Sequence, residues 1–332
     1  MRDRSEKRTP IGSPSRHSSS PRTLLLRAGF HNAARAGELL GDSALLPFLP
    51  EDVQDDDAEE AGDPGGRASA DHSRRLGGRP ADVRLGPARE EFIDSLALTA
   101  DPDMALLSLV RLAEAAAAAE SGDLTSADGV EPGCTTTPAT LLRSIMNDPA
   151  AGPREHRRRL LAVLGASQAL GDFLVAHPER LTALGMRRAW SSPEEAGPGE
   201  ALQRVVHDAL GQTAPAQAAP TDSDKRPPHP GDYAVSRATA ALRRAYRDRL
   251  TAIVADDLTS ADPIEHVPTV CRRMTDLADA ALDAALLIAR AAVGPQADEV
   301  ALAVIAMGKT GARELNYISD VDVVYVVGPA HE

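Results

Sequence analysis

Aromatic side chains make up only 3% of this sequence, so its apolar interior has to be built from Ala, Leu and Val. A hydrophobic content of 42% over 332 residues supplies enough of them for a sizeable core and for more than one domain. Cysteine is nearly absent. Cys134 and Cys271 lie far apart and match no metal-ligand or redox spacing, which fits buried thiols in a reducing compartment such as the cytoplasm. Lysine is scarcer still for its class, with Lys7, Lys225 and Lys309 alone among 36 basic residues. The formal net charge of −13 argues against a surface that neutralises nucleic-acid phosphates. No run approaches the roughly 20 apolar residues that span a bilayer, so a chain without a membrane partner is expected.

What is present is mostly helix and linker. Residues 1–22, rich in Arg, Ser and Pro but interrupted by Asp3 and Glu6 and followed by no apolar segment, read as a disordered tail. Residues 23–49 place Leu25, Leu26, Phe30, Ala33, Ala34, Ala36 and Leu40 near one helical face, which Gly29 and Gly37 weaken or split. Residues 50–88 form an acidic, Gly-rich linker with too little apolar surface to offset ordering entropy. Its acids lack the alternating ligands and central Gly of a calcium loop.

Residues 89–190 are helical again, with Asp101 as an N-cap, Pro102 as a first helical residue, and Leu160, Leu161, Leu164, Leu170, Phe173 and Leu174 as core. His177 has no second ligand nearby and reads as a helix-end residue. Residues 191–231 read as a Pro-rich linker. Residues 232–297 complete the helical region, where Val270, Met274, Leu277, Ala281 and Ile288 recur at three- and four-residue steps. Arg243, Arg244, Arg247 and Arg249 form a charged helix face.

The period changes at residue 298. "EVALAVIAM" has the length and continuous apolarity of a strand covered on both faces; "GKTGARELNYIS" opens with Gly; "DVDVVYVV" is a second strand. Gly308 lets backbone amides approach an anion, a following helix start offers unpaired N–H groups, and Lys309 adds a point charge. Asp320 and Asp322 begin that strand, and side chains two apart on a strand share a face, so the two carboxylates project together; paired oxygen ligands suit Mg2+ held together with substrate phosphates.

This layout, a hydrophobic residue and Gly, then about ten residues, then Asp-x-Asp, resembles the polymerase-beta-type nucleotidyltransferase signature. "VIAMGKTGARELNYISDVDVVYV" is similar, more narrowly, to the signature of bacterial glutamine synthetase adenylyltransferase, the bifunctional adenylyl-adding and adenylyl-removing enzyme. "RRLLAVLGASQALGDFLVAHPERL", "ALRRAYRDRL" and "LADAALDAALLIAR" resemble its helical N-terminal region, so the likeness covers most of residues 89–328 outside the linkers. Thr310 stands where Leu is more familiar, and Lys309 where the broader signature has a small residue.

The resemblance implies a mainly α-helical chain followed by the start of an α/β nucleotidyltransferase domain, residues 298–332, truncated before the third carboxylate of superfamily sites. It implies the N-terminal, adenylyl-removing half as a fragment: phosphorolysis of adenylyl-tyrosine on glutamine synthetase to give ADP, in the regulation of nitrogen assimilation. Asp320 and Asp322 would be catalytic and hold Mg2+, Gly308 and Lys309 would bind phosphate or nucleotide, and Ser319 would orient the site. Arg313 and Glu314 would pair or cap the short helix. The implied partners are adenylylated glutamine synthetase, phosphate, an adenine nucleotide and a PII-type nitrogen signalling protein. This chain alone is expected to be inactive. Two other readings stay open: a helical interaction module or truncated gene product without catalysis, and a nucleotidyltransferase acting on a small molecule.

Overall fold

The computed structural model describes residues 20–50, 86–120, 136–147, 153–188, 198–211 and 230–330. Most of the expected tail and acidic linker, and Cys134, lie outside the described residues. The described part is mainly helical with one small sheet, as the sequence reading expects.

Proline sets the helix starts. Pro21, Pro87, Pro102, Pro138, Pro153, Pro198, Pro230 and Pro263 each open a helix, where the missing N–H costs nothing and the fixed φ is already helical. The helices are α1 (Pro21–Arg27), α2 (Ala33–Leu40), α3 (Pro87–Ala97), α4 (Pro102–Glu120), α5 (Pro138–Asn147), α6 (Pro153–Ala166), α7 (Gln168–Ala176), α8 (Pro198–Gly211), α9 (Pro230–Leu258) and α10 (Pro263–Val293). Gly29, at φ 89°, separates α1 from α2, whereas Gly37 stays inside α2; Leu26 and Ala34 consequently point to solvent. His177 is the C-cap of α7, its N–H donating to the Phe173 carbonyl.

Two cores result. In the first, Leu106, Leu109, Leu112, Ala113 and Ala116 of α4 are buried against α5, α6 and α7. In the second, α8, α9 and α10 pack together through residues such as Val206, Ala238, Leu277 and Ala284. Helix α9 serves both, with Val254 and Ala255 in the first core and Ile253 in the second. Arg159 of α6, almost fully buried, ties them further: it donates to the Leu184 carbonyl at 2.7 Å and pairs with Asp256 of α9, which also takes Arg273 of α10 at 2.9 Å.

Helix α8 corrects the sequence reading, since it lies inside the stretch taken as Pro-rich linker. Leu202, Val206 and Ala209 recur at four- and three-residue steps, and all three are buried. That stripe against two long helices outweighs the flanking Pro and Gly. Arg237 of α9 caps the Ala209 carbonyl at 2.8 Å.

Strands β1 (Val300–Ala306) and β2 (Val323–Pro329) pair antiparallel, with Val300 opposite Pro329 and Ala306 opposite Val323. Two expectations change here. β2 begins at Val323, so Asp320 and Asp322 precede the strand rather than open it, although Met307 N–H still donates to the Asp322 carbonyl at 2.9 Å. The continuous apolar runs suggested cover on both faces, yet Val304, Ile305, Val324, Tyr325, Val326 and Val327 are all exposed. Among the described residues the sheet has only these two strands, and two strands alone leave both faces open. Among the described residues no single helix is long and apolar enough to cross a membrane.

Candidate functional site

The turn after β1 is shaped by two glycines. Gly308 has φ 53°, in the left-handed region, and a Cβ there would lie 3.1 Å from Asp322 Oδ2. A Cβ on Gly311 would lie 2.6 Å from the Ala306 carbonyl oxygen, so the short helix α11 (Gly308–Gly311) folds back against the end of β1. Thr310 is buried there, and its hydroxyl has no hydrogen-bond partner among the described residues.

Lys309 reaches across the loop. Its Nζ donates to Ser319 Oγ at 3.1 Å, and Ser319 Oγ donates to Asn316 Oδ1 at 2.7 Å. Asn316 Oδ1 also accepts from the Ile318 N–H at 3.1 Å, a side-chain-closed turn that brings Ser319 back toward α11. The fold thus joins Gly308 to Asp322 and Lys309 to Ser319. Asp320 and Asp322 are exposed and precede β2, with Val321 between them. Among the described residues no group of three or more His, Cys, Asp or Glu is placed to hold a metal ion.

The loop is anchored on the helices. Arg313, at φ 60°, donates its N–H to the Thr310 carbonyl at the end of α11 at 3.1 Å, while its side chain pairs with Asp276 and, at 3.5 Å, with Asp279 of α10. Burial, with the neighbouring Asp283 charge, raises the Asp279 pKa. Leu315 is buried in the second core. Tyr317 Oη donates to Asp257 Oδ2 at 2.8 Å; burial, and then this bond, push the phenol above its ordinary value. Behind the loop lies an apolar cavity of about 880 Å³ between α7, α9 and α10, reached by Tyr317 and Val321 and flanked by Arg243 and Arg247.

Sequence reasoning missed Asn316 and Tyr317. The Asn-x-x-Ser spacing is a readable turn signal for the first. No local signal marks Tyr317, whose partner is 60 positions away.

Residues 157–332 match the sequence model described as glutamate-ammonia ligase adenylyltransferase, more than half of the chain. The chain belongs to that family. It is 40% identical over 173 residues to the bifunctional glutamine synthetase adenylyltransferase/adenylyl-removing enzyme of Bifidobacterium longum subsp. infantis, covering 52% of this chain and 15% of the relative. The protein of the same name from Corynebacterium diphtheriae is 35% identical over 278 residues, 72% of this chain and 23% of its own. That from Mycolicibacterium smegmatis is 38% identical over 239 residues, 71% and 19%. The chain therefore spans between one-seventh and one-quarter of the length of these relatives. No solved structure gives a match. The matched region of this adenylyltransferase family member includes α9, α10, the sheet and the whole candidate loop.

Proposed function

We propose that this chain carries the nucleotidyl-transfer motif of the adenylyl-removing half of a glutamine synthetase adenylyltransferase. One observation carries the reading: residues ten or more positions apart, Gly308 with Asp322 and Lys309 with Ser319, close one turn in which a backbone free of Cβ faces a carboxylate. That is the arrangement a phosphoryl group needs, with amides and a cation on one side and oxygen ligands for a metal on the other.

The donor set fits Mg2+. Asp320 and Asp322 offer hard carboxylate oxygens, both exposed, which suits an ion that keeps several waters and shares its remaining ligands with phosphate. Bound there, Mg2+ would neutralise charge on the transferring phosphoryl group. The chain's own residues do the rest. Lys309 attracts the phosphate that attacks the AMP phosphorus, Gly308 leaves room for its oxygens, and Ser319 fixes the lysine. The new bond joins phosphate oxygen to the AMP phosphorus, the bond to the tyrosyl oxygen breaks, that oxygen takes a proton, and ADP leaves. Adenylylated glutamine synthetase, inorganic phosphate, an adenine nucleotide and a PII-type signalling protein are the partners this reading expects, in the cytoplasm.

A second reading, a helical interaction module without turnover, is favoured by the two exposed faces of the sheet. A chimera decides between them: the Corynebacterium diphtheriae relative with its matched region replaced by this chain. ADP release from adenylylated glutamine synthetase, dependent on phosphate and lost with Asp322→Asn while adenylyl transfer persists, is the expected result. Loss of transfer instead would place the motif in the wrong half; no effect on either activity would leave the module reading.

A further inference from the structure

Residues 312–322, between α11 and β2, contain no regular helix or strand, so their place is set by what they touch. Within the turn, Lys309 holds Ser319 and the Met307 N–H holds the Asp322 carbonyl. The anchors on the helices come from α9 and α10: Arg313 on Asp276 and Asp279, Leu315 in the second core, and Tyr317 on Asp257, the closest of the three in sequence to Ser319, Asp320 and Asp322. The side chain of the intervening Ile318 is 93% exposed, and only its N–H, on Asn316 Oδ1, takes part in the turn.

Asp257 is itself firmly placed. It lies in the last turn of α9 beside Asp256, whose carboxylate is gripped by the buried Arg159 and by Arg273. The acceptor for Tyr317 thus stands on a helix end that an ion-pair network holds to both cores. A phenol carries its proton at neutral pH, and burial and this bond push Tyr317 further in that direction, so Oη is the donor.

We propose that Asp257 and Tyr317 are positioning residues of the nucleotidyl-transfer site, their hydrogen bond setting where Ser319, Asp320 and Asp322 stand relative to Gly308 and Lys309. The inference rests on the reading of this loop as a phosphate and divalent-cation site. It makes α9 part of the site's geometry. Neither residue touches the reacting groups; each acts through the loop, as outer contacts orient metal ligands in other sites.

The test uses Mn2+ as the probe ion, titrated into the 332-residue chain and followed by the electron paramagnetic resonance of the free ion. Wild type should bind, and Asp322→Asn should not. Tyr317→Phe and Asp257→Ala should each weaken binding roughly tenfold, at the lower end for contacts that orient ligands, with the helical melting transition unchanged. The double variant should lose no more than either single one, because both remove the same bond. Asp257→Asn keeps an acceptor oxygen and should restore most of the affinity, and Tyr325→Phe, on the exposed face of β2, should change nothing.

Binding lost in Asp322→Asn but unaltered in Tyr317→Phe overturns the positioning role alone. Losses that multiply in the double variant overturn it too, since the residues would then act separately. If wild type and Asp322→Asn behave alike, the cation reading of the loop is wrong and the positioning role falls with it.

Discussion

Asp248 offers the most direct test of how the two cores are joined. It lies on α9 with 5% of its surface exposed, one carboxylate oxygen 3.3 Å from Arg180 and the other without a hydrogen-bond partner among the described residues. Burial raises its pKa from 3.8 to about 6, against the opposing pull of Arg180 and Arg249. An acid whose pKa is higher folded than unfolded holds its proton more tightly in the folded state. Stability from this group is therefore fully present below 3.8 and declines as the pH rises to about 6. At about 1.4 kcal/mol for each factor of ten, the decline amounts to about 3 kcal/mol. Asp248→Asn keeps the shape and removes the titration. Arg180 retains Glu179 at 3.5 Å and some contact with water. Urea unfolding of both proteins, followed by circular dichroism at steps from about pH 4 to about pH 7, should show the variant gaining about 2.5 kcal/mol on wild type across that range, since part of the change falls below about pH 4. His177 has the opposite sign. Its pKa is lowered, chiefly by burial, so its contribution rises with pH toward 6.5; being common to both proteins, it cancels in the difference. A difference that stays constant with pH would refute the reasoning, because Asp248 would then be ionised and adequately paired throughout.

Three further outcomes are expected. Gly308→Ala should lose about 1–2 kcal/mol for a left-handed alanine and weaken Mn2+ binding, since the new Cβ must displace the Asp322 carboxylate; an unchanged midpoint and affinity would show that the turn relaxes without cost. Thr310→Val should raise stability by about 1 kcal/mol in thermal unfolding, because it replaces a buried hydroxyl that has no partner among the described residues with a methyl of similar size; a loss would reveal a partner for that hydroxyl. Arg159→Leu should cost about 3 kcal/mol in urea, because it removes the buried guanidinium that pairs with the part-buried Asp256, and adding Asp256→Asn should recover part of it; no recovery would mean that lost packing, not the weakened pairing, is responsible.

Much of the fold is legible because its signals are local. Proline at the first helical position and apolar residues at three- and four-residue steps mark α4, α6, α9 and α10 before any contact is known. Helix α8 was obscured by its neighbours in sequence, since Pro193 and Gly197 before it, Pro198 at its start and Pro215 and Pro220 after it have the composition of a linker. The Leu202, Val206 and Ala209 stripe was nevertheless there to be counted. The sheet misled in another way. A continuous apolar run states what a strand can tolerate, namely burial on both faces, and not what covers it, so Tyr325 and Val327 could be exposed without any change in the local pattern.

The loop divides along the same line. That Gly308 and Lys309 meet Asp322 and Ser319 follows from a short strand, a tight turn and a return of about ten residues, all of which are local facts. Where the loop stands is decided elsewhere. Asp276 and Asp257 lie 37 and 60 positions before their partners, among many acids on long helices, and nothing in their own neighbourhoods sets them apart from solvated charges. Residue types along the loop therefore state which chemistry is available, while the geometry that chemistry needs is supplied by ion pairs and one phenol-carboxylate bond on α9 and α10. Substitutions at those helix positions should for that reason act at the loop, even though each would pass as a surface change when read from sequence.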